Sequence, residues 1–368
     1  MTEMTEAKPC AGSGHFVACP ELRAASFGAG WITVAPPTPS ASCTKETEST
    51  MLTQADTRTA ERTQSMKAVL LVTGLLMIAA ALGIWLRPLS FVDGFSYLRL
   101  WLSGGQSRSV AVNGHRIHYN VVGALSGTTN APVVVLVHGL GGRAEDWQNL
   151  SPFLVRAGYR VYMLDLPGFG RSEQPAAFSY SIPDQDAAVK GFLAALGLTQ
   201  VDLAGWSMGG WIVQLVATQH PENIRRLILF DSAGLGQAPA WDTQLFTPRT
   251  IGELHQFLAV LMPHPPYLPD FIGRDLVRIA QKNAWVIHRA LASMLTGHDT
   301  TDALLPQLNM PVLIVWGSED QIFPLSHGEL MHHLVPQSQL EIIPGCGHLL
   351  VIQCASQIGP RVLDFLNR

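Results

Sequence analysis

The chain has 368 residues, of which 47% are hydrophobic and 14% are charged, and its formal net charge is −4. This composition is apolar for a water-soluble protein, and the acidic balance lacks the basic surface typical of a nucleic-acid-binding protein. We therefore expect no nucleic-acid partner. The sequence contains no internal repeat, which excludes repeat architectures.

Residues 1–65 differ in composition from the rest of the chain. They are rich in Thr, Ser, Ala and Pro, as in the run Pro-Pro-Thr-Pro-Ser at 36–40, and they have no sustained apolar periodicity. Such a segment cannot bury enough apolar surface to fold, so it is predicted to be disordered. The alternative is that translation starts at Met51 or Met66 and the segment is a mis-assigned extension.

A long apolar run begins at residue 68. Residues 68–86 are nineteen residues in which only Thr73 is polar, and as a helix they would span about 28 Å, close to the thickness of the bilayer hydrocarbon. The small residues at 79–81 resemble a signal-peptide cleavage site, but they lie inside the apolar run. We predict an uncleaved transmembrane signal anchor over residues 66–87, in contact with the membrane through residues 68–86.

The charges that flank this span set its predicted orientation. Three basic residues precede it and two come after it: Arg58, Arg62, Lys67, Arg87 and Arg99. Because positive flanks tend to stay in the cytoplasm, the small excess places the main domain outside it.

Residues 88–107 are predicted to be an interfacial helix and linker. Phe91, Phe95, Leu98 and Leu102 recur at helical spacing, and such an aromatic-rich face partitions well into the membrane interface. The alternative is a helix packed on the following domain.

The five cysteines do not indicate a disulfide framework or a zinc site. Cys10, Cys19 and Cys43 lie in the front segment, whereas Cys346 and Cys354 are near the carboxyl end. A bridge between the last two could form in an extracytoplasmic domain, but we do not predict one. Nothing in the sequence indicates a metal or a cofactor.

Residues 108–368 alternate between strands and helices. The predicted strands cover 110–112, 116–122, 132–137, 159–164, 201–204, 226–230, 312–316 and 340–343, and helices are predicted at 146–157, 182–196, 208–219 and 355–366. This alternation predicts an α/β fold, with a mostly parallel sheet covered by helices on both faces.

The interval 232–305 interrupts this alternation. It contains helical patterns at 250–262 and 271–295 but no convincing strand, which predicts a helical cap over the carboxyl edge of the sheet. Its apolar residues are expected to serve mainly as packing, although some could line an acyl pocket: Phe246, Phe257, Leu261, Met262, Tyr267, Leu268 and Phe271.

The candidate nucleophile is Ser207, in the sequence Gly-Trp-Ser-Met-Gly between a strand and a helix. Glycine at 205 and 209 permits a sharp turn, which would expose the hydroxyl above a helix N-terminus. His348 is the candidate base, because it follows the last strand in a glycine-containing loop. The backbone N–H groups of Met208 and Leu140 are the candidate oxyanion donors.

Two aspartates could orient the histidine. Asp320 follows the strand 312–316 and Asp231 follows the strand 226–230, so both are predicted at the carboxyl edge of the sheet, and both keep the chain order Ser, Asp, His. Glu319 suits the role less well because it is the neighbour of Asp320. His138 is interpreted as a structural anchor of the loop after the strand 132–137.

Together these motifs resemble the α/β-hydrolase superfamily. They are His138-Gly139, Asp165-x-Pro167-Gly168-x-Gly170-x-Ser172, Gly205-x-Ser207-x-Gly209, Gly317-x-x-Asp320 and Gly347-His348. The resemblance implies a nucleophile–acid–histidine triad in which the acid usually follows the seventh strand. It therefore favours Asp320, and Asp231 stays as the minority alternative.

Within the superfamily, the chain is most similar to membrane-anchored monoacylglycerol lipases and related bacterial lipases. They share an N-terminal anchor, a Gly-x-Ser-Met-Gly-Gly turn, a short Ala-Gly-Leu (here 233–235) and a Cys-Gly-His turn (here 346–348). The resemblance implies a serine carboxylic-ester hydrolase that acts on lipid esters. The alternatives are a carbon–carbon bond hydrolase, a cofactor-free haloperoxidase-like enzyme, and a catalytically silent lipid-binding or scaffold protein.

Overall fold

The computed structural model describes residues 43–123, 131–236 and 242–368. The disorder predicted for residues 1–42, together with Cys10 and Cys19, lies outside the described residues. Among those described, one helix is long and apolar enough to cross a membrane: within its stretch Thr59–Leu86, an 18-residue window has a mean hydropathy of 2.5.

This helix, α1 (Cys43–Leu86), starts earlier than the sequence pattern predicted. The expectation of disorder therefore does not hold for residues 43–65. These residues contain no glycine or proline, and the first glycine of the helix is Gly74. Since helix nucleation is costly and propagation is not, the apolar part can extend backwards into a segment that has no packing face of its own.

A second helix, α2 (Pro88–Leu102), follows directly, with proline in its first turn. Its Ser96 is buried, while Phe95 is 62% and Trp101 is 66% exposed. The Leu89 N–H donates to Asp275 Oδ2 at 3.1 Å. One side of α2 therefore contacts the domain, as the alternative of a packed helix expects, and the other side presents large apolar side chains to the exterior.

The domain is built on one sheet of eight strands. They are β1 (Gln106–Val112), β2 (His115–Val122), β3 (Val133–Val137), β4 (Arg160–Leu164), β5 (Val201–Trp206), β6 (Ile224–Phe230), β7 (Val312–Gly317) and β8 (Gln339–Ile343). The order across the sheet is β1-β2-β4-β3-β5-β6-β7-β8. Pairing is antiparallel for β1–β2 and β2–β4 and parallel for every other pair, as predicted for a mostly parallel sheet.

Helices cover both faces of the sheet. They are α3 (Ser151–Arg156), α4 (Ile182–Ala195), α5 (Met208–Gln219), α6 (Ile251–Leu261), α7 (Asp270–Met294), α8 (Leu325–Leu334), α9 (Leu350–Gln353) and α10 (Ala355–Leu366). In β3, Val135 and Val137 join the hydrophobic core on one face, while Val134 and Leu136 join the core on the other. Alternation along the strand therefore fills two cores.

The single helix predicted at 146–157 is two helices. A 3₁₀ helix at Ala144–Asn149 is followed by α3, which has Pro152 in its first turn. Proline has no N–H to continue the preceding helix, but it is accepted in the first turn of a new one. The break is therefore a direct consequence of Pro152.

The region between β6 and β7 contains α6 and α7, the two helices predicted for the cap. The Leu349 N–H donates to Leu261 O, at the end of α6, at 3.4 Å. A Cβ at Gly141 would lie 3.8 Å from Ile287 Cδ1 of α7. The two helices therefore meet the loops that follow β8 and β3, at the carboxyl edge of the sheet.

Candidate functional site

Ser207 occupies a strained turn between β5 and α5. Its φ is 56° and its ψ is −122°, a region that non-glycine residues rarely adopt. A Cβ at Gly209 would lie 2.3 Å from Val137 O, and a Cβ at Gly205 would lie 2.3 Å from Gly209 O. The two glycines of the motif are thus required by close backbone contact, and the turn holds the serine side chain above the N-terminus of α5.

The structure brings Ser207, His348 and Asp320 into one chain of hydrogen bonds. His348 Nε2 lies 2.9 Å from Ser207 Oγ, and His348 Nδ1 lies 2.8 Å from Asp320 Oδ2. All three residues are buried, with Ser207 8% exposed. Because the carboxylate can only accept, Nδ1 carries the proton and Nε2 is free to accept the serine proton. This arrangement can generate a serine nucleophile.

The orienting carboxylate is itself held by the backbone. Asp320 Oδ1 accepts from the N–H of Ile322 at 2.7 Å and of Phe323 at 3.0 Å. One oxygen of Asp320 is therefore fixed by its own turn, and the other is aimed at the histidine.

Trp206 anchors the histidine loop and was not recognised in the sequence. Its Nε1–H donates to the backbone oxygen of His348 at 2.8 Å. The residue lies in a variable position of the Gly-x-Ser-x-Gly motif, so only the sequence neighbourhood of Ser207 could have indicated it.

A disulfide joins Cys346 to Cys354, although the sequence did not lead us to predict one. Sequence spacing carries no information about whether two sulfur atoms meet. Here the turn after β8 and the short helix α9 bring the two Cα atoms to 6.4 Å, within the range of natural disulfides. The bridge closes the loop that carries His348.

Asp231 lies beside the same histidine but is not its hydrogen-bond partner. Asp231, Asp320 and His348 each place one nitrogen or oxygen atom within 4.8 Å of the others. Asp231 Oδ1 accepts from the Gly317 N–H at 2.8 Å, whereas Oδ2 is buried without a partner among the described residues. Burial, reinforced by the nearby Asp320 charge, raises the pKa of Asp231 well above its ordinary value. The geometry therefore favours Asp320 as the partner of His348.

These three side chains are also the only described group close enough to share a metal ion. Both ring nitrogens of His348 are already engaged, one by Asp320 and one by Ser207. The hydrogen bonds account for the arrangement, so we assign no metal to it.

The two candidate oxyanion donors lie near Ser207. Met208 is the first residue of α5, where a helix leaves N–H groups without intrahelical partners. Leu140 follows Gly139, and a Cβ at Gly139 would lie 3.0 Å from Ser207 Cβ. The loop after β3 therefore passes directly over the serine.

His138 holds this loop in place. Its Nε2 accepts from the Leu166 N–H at 3.0 Å, so the proton lies on Nδ1, 2.7 Å from Gly139 O. Burial lowers the pKa of His138, which keeps the ring neutral. These contacts agree with the structural role interpreted from the sequence.

The sheet order, the serine turn and the hydrogen-bond chain define a serine-type hydrolase with an α/β fold. Residues 132–250 and 295–354 match the family described as alpha/beta hydrolase fold. A 2-hydroxy-6-oxo-6-phenylhexa-2,4-dienoate hydrolase of Burkholderia cepacia is 30% identical over 268 residues, which are 68% of this chain and 91% of that protein. The chain therefore belongs to the α/β-hydrolase family.

Two further similarities concern lipid-directed enzymes. The crystal structure of a bacterial membrane phospholipase A matches with a TM-score of 0.69 and 29% identity, covering 82% of this chain and 98% of that chain. Lipase 1 of Psychrobacter immobilis is 26% identical over 247 residues, which are 64% of this chain and 77% of that protein. The proteins similar to this chain thus include both a dienoate hydrolase and lipases.

Proposed function

We propose that this protein is a membrane-anchored serine hydrolase that cleaves carboxylic esters of lipids, monoacylglycerols or related acyl lipids among them. The observation that carries the proposal is the combination of a Ser-His-Asp chain with an apolar helix long enough to span a bilayer. An enzyme anchored in a membrane meets long-chain esters in the bilayer, because these esters partition into it.

The reaction would proceed through an acyl-enzyme. Ser207 Oγ attacks the ester carbonyl while His348 Nε2 takes its proton, and Asp320 stabilises the resulting imidazolium. The N–H groups of Met208 and Leu140 donate to the oxyanion. His348 then protonates the leaving alcohol, and it afterwards takes a proton from the water that releases the fatty acid and regenerates Ser207.

An apolar cluster beside the histidine is the candidate acyl-binding wall. Its buried members are Leu261, Met262 and Ile322, and Phe246, Phe257, Leu258, Val260, Phe323 and Leu349 pack against them. The rings of Phe323 and His348 lie 5.6 Å apart. Burying an acyl chain here would contribute about 0.8 kcal/mol per CH₂ group. By contrast, Tyr267 of the cap is 89% exposed and does not belong to this wall.

The N-terminal helices support a lipid substrate over a soluble one. The similarity to the membrane phospholipase A covers 82% of this chain, more than residues 108–368 alone could supply, so it includes part of the helices before the domain. Asp93 of α2 forms an ion pair with Arg143 of the loop after β3, at 2.6 Å. Arg87, which directly precedes α2, forms an ion pair with Asp275 of the cap at 3.7 Å. We infer that these contacts tie the helix next to the predicted anchor to the cap and to the loop that carries Leu140.

The disulfide supports the proposed side of the membrane. Disulfides persist in oxidising compartments and are rare in the cytosol, so the Cys346–Cys354 bridge agrees with an extracytoplasmic domain. The predicted anchor orientation, with the amino end in the cytoplasm, points the same way.

A carbon–carbon bond hydrolase is the second candidate function, and the identity to the dienoate hydrolase of Burkholderia cepacia favours it. The substrate that this name describes carries a carboxylate. The cluster next to His348 offers Leu261, Met262 and Phe323, and placing an unpaired charge against such side chains is costly. For this reason we rank the lipid ester first.

The experiment that separates the two functions is a substrate panel on the full-length protein in detergent micelles. It compares monoacylglycerols and p-nitrophenyl esters of increasing chain length, a phospholipid, a 2-hydroxy-6-oxo-dienoate and a peptide amide, with Ser207→Ala as the control. We expect kcat/KM for long-chain esters to exceed that for the dienoate by at least about 100-fold, or about 2.7 kcal/mol. Turnover of the dienoate or the amide alone would overturn the lipid assignment.

A further inference from the structure

Asp231 is a buried acid that the proposed mechanism does not use. It follows β6 directly and adopts a φ of 39°, in the left-handed region that is uncommon for an aspartate. It is fully buried, and one of its oxygens has no hydrogen-bond partner among the described residues. A strained backbone and an orphaned buried oxygen next to a histidine–carboxylate pair indicate a functional constraint.

Two carboxylates meet at this point. An oxygen of Asp231 lies within 4.8 Å of an oxygen of Asp320, and both residues are buried. Two negative charges at this distance away from water repel each other strongly, which favours a neutral Asp231 beside the charged pair partner of His348.

The proton is expected on Asp231 because the two acids are supported differently. Asp320 accepts two backbone hydrogen bonds and one from the histidine ring, all of which favour its charged form. Asp231 accepts a single one, from the Gly317 N–H. The unpartnered Oδ2 is the oxygen left to carry the proton.

We propose that Asp231 is a positioning residue that stays protonated on Oδ2 beside the Asp320 carboxylate, so that it leaves the single negative charge on Asp320 and stands in for this residue when Asp320 is removed. The inference rests on the proposed triad. In this proposal Asp231, the alternative acid of the sequence analysis, is a neutral neighbour of Asp320, the preferred acid.

The titratable surroundings of Asp231 are few. Asp320 and His348 are the groups that face it. His327 of α8 also interacts with the charge of Asp320, and burial lowers the pKa of this histidine, which favours its neutral form. The negative charge of Asp320 is thus the main influence on the protonation of Asp231.

The first test measures thermal unfolding of the full-length wild type and of Asp231→Asn in detergent between pH 4 and pH 8. Asparagine has the same shape, can accept from Gly317 and cannot ionise. An acid whose folded pKa is raised stabilises the fold fully below its unfolded pKa of about 3.8, and this contribution is lost as pH rises.

We expect the wild type to lose stability relative to Asp231→Asn as pH rises. A difference that is flat, or one that favours the wild type as pH rises, would overturn the proposal. This readout needs no substrate, so it stands even if the proposed function fails.

The second test uses ester hydrolysis and the corresponding variants of the pair. Asp231→Asn is measured beside the other variants, so that the coupling between the two acids can be separated from the loss due to Asp231 alone. Asp320→Asn should lower kcat by about 10²-fold, and the double variant by about 10⁴-fold, the loss expected when no carboxylate remains. If Asp320→Asn is already as slow as the double variant, Asp231 does not stand in and the proposal is wrong.

Discussion

Two chains of hydrogen bonds in this molecule join the same three residue types at nearly the same distances. They are the edge relay, Ser207–His348–Asp320, and the strand relay, Ser107–His118–Asp165. In the edge relay the two contacts of the histidine measure 2.9 and 2.8 Å, and in the strand relay both measure 2.7 Å. Distances between side chains therefore do not distinguish a reaction centre from a structural network.

The backbone around each serine makes the difference. Ser207 has a positive φ and lies above the N-terminus of α5, where N–H groups and the helix dipole can stabilise an oxyanion. Ser107 lies within β1, paired with Asn120 of β2. Ser107 is a residue inside a strand and not the residue that precedes a helix, so it lacks the helix N-terminal N–H groups that adjoin Ser207.

The acid of the strand relay also has other partners. Asp165 accepts from the N–H of Ala144 at 2.6 Å and of Arg171 at 2.9 Å. Burial opposes its ionisation, but these bonds and the one from His118 together lower its pKa below its ordinary value. Asp165 thus fastens two loops to the end of β4, which is a structural task. We therefore assign chemistry to the edge relay alone.

The most severe test of the difference between the edge relay and the strand relay is to replace each serine in turn. Ser207→Ala should lower kcat on p-nitrophenyl esters by about 10⁵-fold, since loss of a triad nucleophile costs about 10⁶-fold in a well-studied protease. Ser107→Ala, the matched control, should stay within about threefold of the wild type. Comparable losses in the two variants would contradict the distinction between the relays.

Removing each acid should affect different quantities. Asp320→Asn should lower kcat by about 10²-fold with little change in thermal stability. Asp165→Asn should cost about 3 kcal/mol of unfolding free energy, because it breaks a buried charged network, while the folded fraction keeps its kcat.

The stabilisation from Asp165, whose folded pKa is lowered, is present above its unfolded pKa of about 3.8 and lost at lower pH. Acid unfolding of the wild type and Asp165→Asn should therefore converge, and a kcat loss without a stability loss would reverse the assignment.

Adding a side chain next to the edge relay should lower kcat by an intermediate amount. A Cβ at Gly139 would lie 3.0 Å from Ser207 Cβ, so Gly139→Ala should displace the loop that carries Leu140 and lower kcat by about tenfold. Gly94→Ala in α2 is the control, since a Cβ there has nothing within 4 Å. Equal activities in the two variants would argue against a donor in the Gly139–Leu140 loop.

The smallest effect on catalysis is expected from the disulfide. The Cys346→Ser/Cys354→Ser double variant should lose about 2.5 kcal/mol of stability, the loop-closure estimate for so short a separation, with kcat lowered about twofold. Differential scanning fluorimetry and ester assays on the wild type with and without reductant provide the matching comparison. A fully inactive double variant that is still folded would mean that the bridge holds His348 in register and does more than stabilise its loop.

The sequence predicted those features that depend on local pattern. The alternation of strands with helices and the Gly-x-Ser-x-Gly turn placed the sheet and Ser207, because these features follow from the local sequence pattern and from backbone room near glycine. The order of Asp320 and His348 after later strands then put them at the same sheet edge. The early start of α1 and the break at Pro152 were missed, since each is decided by propagation or by a single proline.

The sequence could not predict features that depend on distance in space. Ser107 and His118 lie on one hairpin, but Asp165 joins them only through the pairing of β2 with β4. The Cys346–Cys354 bridge likewise depends on how the turn after β8 and the helix α9 bring the two cysteines together. Nothing in the composition of these segments marks them as neighbours.

The most direct test of the central claim is covalent labelling of the full-length protein with a fluorophosphonate. A serine activated by a relay attacks the phosphorus and expels fluoride, which leaves a stable phosphonyl ester that mass spectrometry of peptides can locate. We predict one label per chain, on the peptide that contains Ser207, and none on the peptide that contains Ser107. Labelling of Ser107, or of neither serine in protein that hydrolyses esters, would contradict the claim that the turn at Ser207 makes the edge relay the reaction centre.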